Sequence, residues 1–448
     1  MNWQRQYAER RSAAVVDVSF GDAGKGSIVD WLTSQRAGAP ETGTVVRFNG
    51  GAQAAHNVVR PDGRHHTFSQ FGSGSFNGWR THLSRFMLVE PLSLSSEAAH
   101  LASLGVDDPL GRLSVAREAL LTTPYHAAAN QAREIARGRG RHGSCGLGVG
   151  ETMAYQLANE HDAPRVGDCS DPATLVRKLA RMRDYYVATL DGKGDGAMYP
   201  GDRAAGALFD PTSVPDPAQL AAVYGQFADR VRLTDDDYLA QLLRNEWVIF
   251  EGAQGVLLDE WRGFHPYTTW STTTYDNIET ALRESGANAD PLRIGLLRAY
   301  TTRHGAGPFP SEDTLLTRDF PDQHNGTHRW QGIFRAGHLD LLLHRYALEV
   351  CGRTDVLALS HLDRAAQMGS RLQTTNEYVL NGRSIDRLTP GPFTDLDYQS
   401  SLTQILQTVA PVYESAGEDI PALVERTLEL PVAITSSGTG TQHKSWRT

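Results

Sequence analysis

Cysteine is scarce in this chain. There are three in 448 residues, Cys145, Cys169 and Cys351, and none stands at metal-ligand spacing. An odd, sparse set excludes a disulfide scaffold and points to a reducing compartment. Long apolar runs are missing as well: no stretch approaches the roughly 20 residues of a membrane helix. The opening MNWQRQYAERRS is charged and lacks the apolar centre of a secretory signal. Positive charge is not in excess, since 43 Lys and Arg stand against 52 Asp and Glu, a net charge of -9. The nearest thing to a basic stripe is the local cluster Arg133, Arg137, Arg139 and Arg141, too little for a nucleic-acid surface. Repeats and low-complexity tracts are absent. Apolar residues make up 40% and charged residues 21%, the balance of a globular chain rather than a disordered one. The expectation is a cytoplasmic enzyme acting on small molecules, with neither nucleic acid nor membrane as partner.

The length suggests two or three units at about 150 residues each, and one large domain with insertions fits equally well. No clear linker divides the chain, so residues 1–448 are read as one domain. Residues 1–12 form an N-terminal extension. Residues 190–217, rich in Gly, Pro and Asp, read as a surface excursion or subdomain junction. Short apolar runs precede glycine or small polar residues at Val15–Phe20, Val45–Phe48, Trp247–Phe250, Ile294–Tyr300, Val356–Leu359 and Val432–Thr435. Helical patterns lie between them. Tyr125–Arg137 is rich in strong helix formers. His338–Val350 places Leu339, Leu342, Leu343, Tyr346 and Val350 on one face, with Gly352 as its stop. Strands alternating with helices predict an α/β fold, a large mostly parallel central sheet flanked by helices. Ligands of such sheets bind at the carboxyl ends of the strands, where the glycine-rich turns fall.

The sharpest local signal is VVDVSFGDAGKGSI, residues 15–28. It reads as a buried strand, then a glycine turn with a lysine, then a helix start. A P-loop has the form G-x4-G-K-[ST]. Here Ser19 stands where the first Gly belongs and Gly26 holds the hydroxyl position, so the match fails twice. A phosphate cradle of backbone N–H groups remains a good reading. An aspartate inside such a cradle repels phosphate unless it binds a metal or takes a proton. Asp22 therefore suggests Mg²⁺ coordination, general-base work, or both. A turn aspartate bonding its own backbone is the plainer alternative.

A second strand and glycine turn follow in VVRFNGGAQAAHNVV, residues 45–59, with Gln53 and His56 close behind. Four later segments stand in order: FEGAQGVLLD (250–259), HPYTTWSTTT (265–274), AYTTRHGAGPFPSE (299–312) and SHLD (360–363), with SSGTG (436–440) near the end. Together they resemble the motifs of the adenylosuccinate synthetase family, from residue 15 to about 440. The resemblance implies a P-loop-NTPase-related fold. It also implies a GTP-dependent, Mg²⁺-assisted ligase that phosphorylates the 6-oxo group of IMP and displaces the phosphate with the amine of L-aspartate. Members are dimers whose subunits complete each other's sites.

By the same resemblance Asp22 is the base at purine N1, and His56 stabilises charge between O6 and the γ-phosphate. Lys25 is the loop lysine. Gly21, Gly24, Gly26 and Ser27 would cradle GTP, with Asp363, His361, Ser436, Ser437, Gly438 and Arg335. A carboxylate at Asp363 can accept from guanine N1–H and N2–H₂ together. The purine nucleotide would meet Gln53, Ser144, Cys145, Gln254, Thr273 or Thr274, and Arg303. The amine substrate would meet Arg329, Gln331, Gly332 and Arg335. Mg²⁺ would be held by Asp22 and the carbonyl of Ala55.

The departures from the family pattern lie on the substrate side. The family's arginine-rich loop T-T-G-R-x-R-R-x-G-W-x-D reads WQGIFRAGHLD here (330–340), with Arg335 retained and Arg329 upstream. Two planar arginine forks suit a dicarboxylate better than one. Gly143-Ser144-Cys145-Gly146-Leu147-Gly148 stands for G-T-T-G-R-G, and Asp162 falls near the position of the arginine that the partner subunit supplies. Gln53 replaces Asn, and His361 replaces the lysine beside Asp363. Two alternatives therefore stand beside the main reading. One is a paralogue with the same GTP-driven activation and another oxo substrate or amine, in modified-nucleotide or natural-product biosynthesis. The other is a non-catalytic GTP-binding homologue.

Overall fold

Ten strands build one central sheet in the computed structural model, which describes residues 2–36, 43–138, 143–190, 205, 208–322, 324–326 and 330–447. In chain order they are β1 (Ser12–Asp17), β2 (Gly43–Arg47), β3 (Arg80–Leu83), β4 (Leu113–Ala116), β5 (Arg232–Thr234), β6 (Trp247–Glu251), β7 (Leu292–Arg298), β8 (Val356–Ser360), β9 (Val432–Ser436) and β10 (Lys444–Trp446). Their spatial order is β10-β9-β8-β7-β1-β6-β2-β3-β4-β5. Every neighbouring pair is parallel except β9–β10 at one edge. The expected α/β sheet is therefore present, and β1 lies at its centre. Ala14 of β1 is in register with Phe250 on one side and Arg293 on the other.

The central strands read as continuous apolar runs because both sheet faces are covered. All residues of β1, β2, β6 and β8 are buried. Successive side chains point to opposite faces. Ala13 and Val15 join Ile249 in one core, while Ala14 and Val16 join Val248 and Phe250 in the other. A third core, containing Phe68, Val115, Tyr125 and Tyr186, packs beyond β3 and β4.

The six strand-like runs of the sequence all become sheet strands, with ends displaced by a few residues. Strand β1 starts three residues before Val15 and stops at Asp17, so Val18–Phe20 belong to the loop. Helix α1 (Trp3–Arg10) occupies most of the expected extension at 1–12 and buries Tyr7, whose ring meets Trp247 at 5.3 Å. The expected helix at His338 starts later, as α3 (Leu341–Cys351), following α2 (Lys25–Ser34) in our numbering. The delay has a cause. Leu339–Asp340 pair with Thr374–Thr375 as a short strand, and the Asp340 side chain then caps the helix by accepting from Leu343 N–H. Gly352 ends it at φ +82°, as expected. Most of the expected excursion at 190–217 falls outside the described residues. At its far end Phe209 and Val214 are buried in the third core.

Parallel pairing brings the carboxyl ends of β1, β7, β8 and β9 to one edge, at Asp17, Arg298, Ser360 and Ser436. A cavity of about 960 Å³ opens there.

Candidate active site

Asp17, the last residue of β1, organises the loop that follows. Its carboxylate accepts from Ser19 N–H at 3.0 Å and Ala23 N–H at 2.9 Å, and pairs with Lys25 Nζ at 3.1 Å. Lys25 also donates to the Gln254 carbonyl at 2.6 Å. Gly21 and Gly24 adopt φ of +94° and +91°, and Asp22 itself lies at +61°, a region that Asp tolerates better than most residues. Gly24 precedes α2, so the amino end of a ten-residue helix faces the cavity. The missing hydroxyl at Gly26 has a steric reason. A Cβ there would lie 2.7 Å from Cβ of His56, whose strand packs against the helix start.

Asp22 lines the cavity and makes no hydrogen bond or ion pair among the described residues. Loss of water around its carboxyl pushes the pKa up, opposed by Lys25, Arg298 and His304. A carboxylate with open lone pairs and an elevated pKa suits a general base.

The loop also depends on Gly255. An added Cβ would sit 2.2 Å from Gly21 N and 2.3 Å from Ser19 O. Gly255→Ala is expected to destabilise the protein by about 1–3 kcal/mol, the usual cost of overpacking. Thermal denaturation checks this against Gly326→Ala, where an added Cβ meets nothing within 4 Å and little change is expected.

His56 is oriented from behind. Its Nδ1 lies 2.6 Å from Glu251 Oε1 at the end of β6. Glu251 also accepts from Ser73 N–H at 2.9 Å and Ser73 Oγ at 2.5 Å. Burial disfavours the charged carboxylate, yet the hydrogen bond and charge of His56, with Arg47 and Ser73, hold Glu251 down to about 2. Burial pushes His56 down to about 4 despite Glu251. The resting pair is thus a carboxylate and a neutral imidazole that donates from Nδ1, leaving Nε2 for the cavity that the ring lines. Glu251 lies inside the FEGAQG motif, but no role was expected for it.

The opposite wall comes from β7, β8 and β9. His361, at φ +60°, opens the short helix α4 (Leu362–Met368), which carries Asp363 in its first turn. Both line the cavity with Ser436, Ser437 and Gly438. Lys444, absent from the sequence reading, is buried beneath that last turn. It donates to the carbonyls of Gly438, Thr439 and Gly440 at 3.3, 3.0 and 2.9 Å, and burial lowers its pKa to about 8.

The fold thus gathers Gly21, Asp22, Gly24, Lys25, Gly26, Ser27, Gln53, Ala55, His56, Cys145, Gln254, Gln331, His361, Asp363, Ser436, Ser437 and Gly438 around one space. The side-chain amides of Gln53 and Gln254 are buried there without hydrogen-bond partners among the described residues. Several expected contacts lie elsewhere. The Arg303 guanidinium is buried and donates to the carbonyls of Ala306, Pro308 and Tyr267 at 3.0, 2.9 and 3.2 Å, so it braces a turn outside the cavity lining. Thr273 Oγ1 donates to Gly255 O at 3.1 Å, and Thr274 Oγ1 accepts from Asp276 N–H at 3.3 Å. Ser144 Oγ accepts from Asn130 Nδ2 at 3.0 Å. Arg335 binds Glu312 at 2.6 Å and Gly307 O at 3.0 Å, and with Gly332 it lines a smaller cavity of about 440 Å³. Gln331 borders both cavities. Arg329 lies outside the described residues. Asp162 is neutralised by Arg181 at 2.6 Å and Arg177 at 3.3 Å. Arg298, Tyr300, His304 and Asp322 line the main cavity unforeseen.

Similarity to known proteins follows this arrangement. A sequence model described as adenylosuccinate synthetase matches residues 14–442. The adenylosuccinate synthetase of Desulfovibrio desulfuricans is 29% identical over 430 residues, covering 92% of this chain and 89% of that protein. That of Neisseria gonorrhoeae is 33% identical over 314 residues, covering 68% of this chain and 65% of its own. Among solved structures, the fully ligated adenylosuccinate synthetase of Plasmodium falciparum superposes with a TM-score of 0.78 at 20% identity, covering 98% of this chain and 100% of that one. A cyanophage S-2L succinoaminodeoxyadenylate synthetase, bound to dGMP and dATP as energy donor, reaches 0.58 at 14% identity, covering 97% and 94%. The match across nearly the whole sequence, on a fold that joins Asp22, Lys25 and His56 in one cavity, places the chain in the adenylosuccinate synthetase family of ligases that form a C–N bond.

Proposed function

We propose that this protein uses GTP to activate the 6-oxo group of IMP or a related purine nucleotide, then joins the L-aspartate amine to C6. The observation that supports this most is the meeting of Asp22, Lys25 and His56 with Asp363 around one cavity. Asp22 takes the N1 proton. The O6 atom attacks the γ-phosphorus, the bond to the β-phosphate oxygen breaks and GDP leaves. Lys25 and the amino end of α2 face the phosphates. The amine nitrogen then forms its bond to C6 as the phosphate leaves. Asp363 accepts from guanine N1–H and N2–H₂, which favours GTP over ATP. His56 Nε2, with Glu251 behind the ring, meets the charge that gathers between O6 and phosphorus. To donate there His56 needs a second proton, and an arriving phosphate favours that proton.

The residues fit Mg²⁺. Magnesium keeps several waters and takes one or two protein oxygens beside substrate phosphates. Asp22 offers a carboxylate with no partner among the described residues, and Ala55 stands on the same cavity wall. When bound, the ion would neutralise charge on the transferring phosphoryl group. A cytoplasmic homodimer in purine biosynthesis belongs to this reading.

Leu147 favours a second reading, in which the oxo substrate or the amine differs. It lines the cavity, 40% exposed, where the family pattern carries arginine. One incubation with GTP, Mg²⁺, IMP and L-aspartate, read by mass spectrometry, separates the two. Adenylosuccinate with GDP supports the first. GDP without adenylosuccinate supports a different amine. Neither product turns the assay to other oxo substrates.

A further inference from the structure

Arg298 stands at the carboxyl end of β7, one residue before the AYTTRHG motif. It is 3% exposed and lines the main cavity. Its Nη2 donates to Asp322 Oδ2 at 2.7 Å and to His361 Nε2 at 2.7 Å. Its Nη1 is buried and has no partner among the described residues. A guanidinium does not shed its proton. Buried N–H donors without an acceptor are costly, so this edge awaits one.

The surroundings say what kind. Three carboxylates, Asp22, Asp322 and Asp363, line the cavity. Its other described Lys and Arg already carry partners, Lys25 on two of its three donors. Lys25 serves Asp17 and the Gln254 carbonyl, and Arg364 serves Gln367 and the Pro321 carbonyl. A polyphosphate entering among these carboxylates needs a cationic donor with an unused edge, and Nη1 of Arg298 is one. The residue is also wired to the phosphate loop. His361 Nδ1 lies 2.8 Å from Ser360 Oγ, which donates to Ala23 O at 2.7 Å. The run Asp322–Arg298–His361–Ser360–Ala23 crosses from the segment after Phe320 to the residue beside Asp22.

We propose that Arg298 contacts the terminal phosphoryl group of the bound triphosphate, with Asp322 and His361 as positioning residues that present its free edge. This rests on the reading of the cavity as a phosphoryl-transfer site.

The test is isothermal titration calorimetry on the full chain with Mg²⁺ and three probes: GTP, GDP and inorganic tripolyphosphate. Arg298→Gln is expected to weaken GTP and tripolyphosphate about tenfold or more, the scale of a charge-assisted contact. GDP, which lacks the terminal group, should weaken by less than about threefold, as befits a lost background charge. Arg298→Lys falls between, because an ammonium keeps the charge and loses the fork. It also carries the comparison should Arg298→Gln fail to fold. Equal weakening of GTP and GDP means a packing role and overturns the proposal, as does unchanged GTP binding. If tripolyphosphate binds and depends on Arg298 while GTP does not bind, the contact stands and the GTP reading falls. If the wild type binds neither, the contact falls as well.

Discussion

Replacing Asp22 by asparagine is expected to lower GTP-dependent C–N bond formation by about 10²- to 10⁴-fold, the range for loss of a general base. Asparagine keeps the shape and tolerates the left-handed backbone of Asp22, which lies at φ +61°. Asp22 makes no hydrogen bond or ion pair among the described residues, so the thermal midpoint should stay near wild type. The substitution therefore separates chemistry from folding. The pH profile adds a second check. Desolvation places the Asp22 carboxyl above the ordinary aspartate range. The acid limb of kcat/KM in the wild type should sit correspondingly high and vanish from the residual activity of the variant. Turnover undiminished by Asp22→Asn would remove Asp22 from the mechanism.

The second large effect is expected at His56. His56→Asn should cost about 10²- to 10³-fold in kcat, the scale of one lost donor to a developing charge. Glu251→Gln tests how that donor is prepared. The carboxylate favours the imidazolium that an arriving phosphate calls for, and glutamine does not. Glu251→Gln should therefore lower kcat with little change in KM, and move the alkaline limb of the profile to lower pH. Change in KM alone would make Glu251 a packing residue only. Stability also carries the signature of this pair. His56 falls from 6.5 to about 4 in the fold, so the unfolded chain binds its proton first as pH drops. Stability is lost as pH falls from 6.5 towards 4. Glu251 falls from 4.5 to about 2, so its contribution is present above 4.5 and is lost below it. The wild-type thermal midpoint should decline across both windows. In His56→Asn the decline between 6.5 and 4 should be shallower, though buried His82 and His126, lowered to about 4 and 3, leave a residue of it.

Much of this site was legible from the chain alone, for local reasons. The glycine-rich loop is contiguous. Its strand, its glycines at positive φ and its helix start all lie within residues 12–34. Apolar runs with both faces covered announce parallel strands without reference to partners, and six of the ten sheet strands were marked that way. The four left unmarked, β3, β4, β5 and β10, are edge-ward strands of three or four residues. Runs so short leave no apolar signature.

What pairs across distance could not be read in advance. Glu251 is 195 residues from His56, and Arg298 is 63 from His361. A motif names residue types, while only the sheet order sets which strand ends meet. Arg303 shows the reverse. It stands in a matching motif, yet two backbone carbonyls of its own turn and that of Tyr267, 36 residues away, take its donors. The sequence by itself determined the α/β class, the glycine-rich loop after the first strand and the family, because those rest on local spacing and ordered motifs. The tertiary structure alone decided which polar groups are already satisfied, since hydrogen bonds form between neighbours in space. That is why Arg303 and Thr273 turn to backbone carbonyls, while Glu251 holds His56 and Arg298 keeps a buried edge without a partner among the described residues.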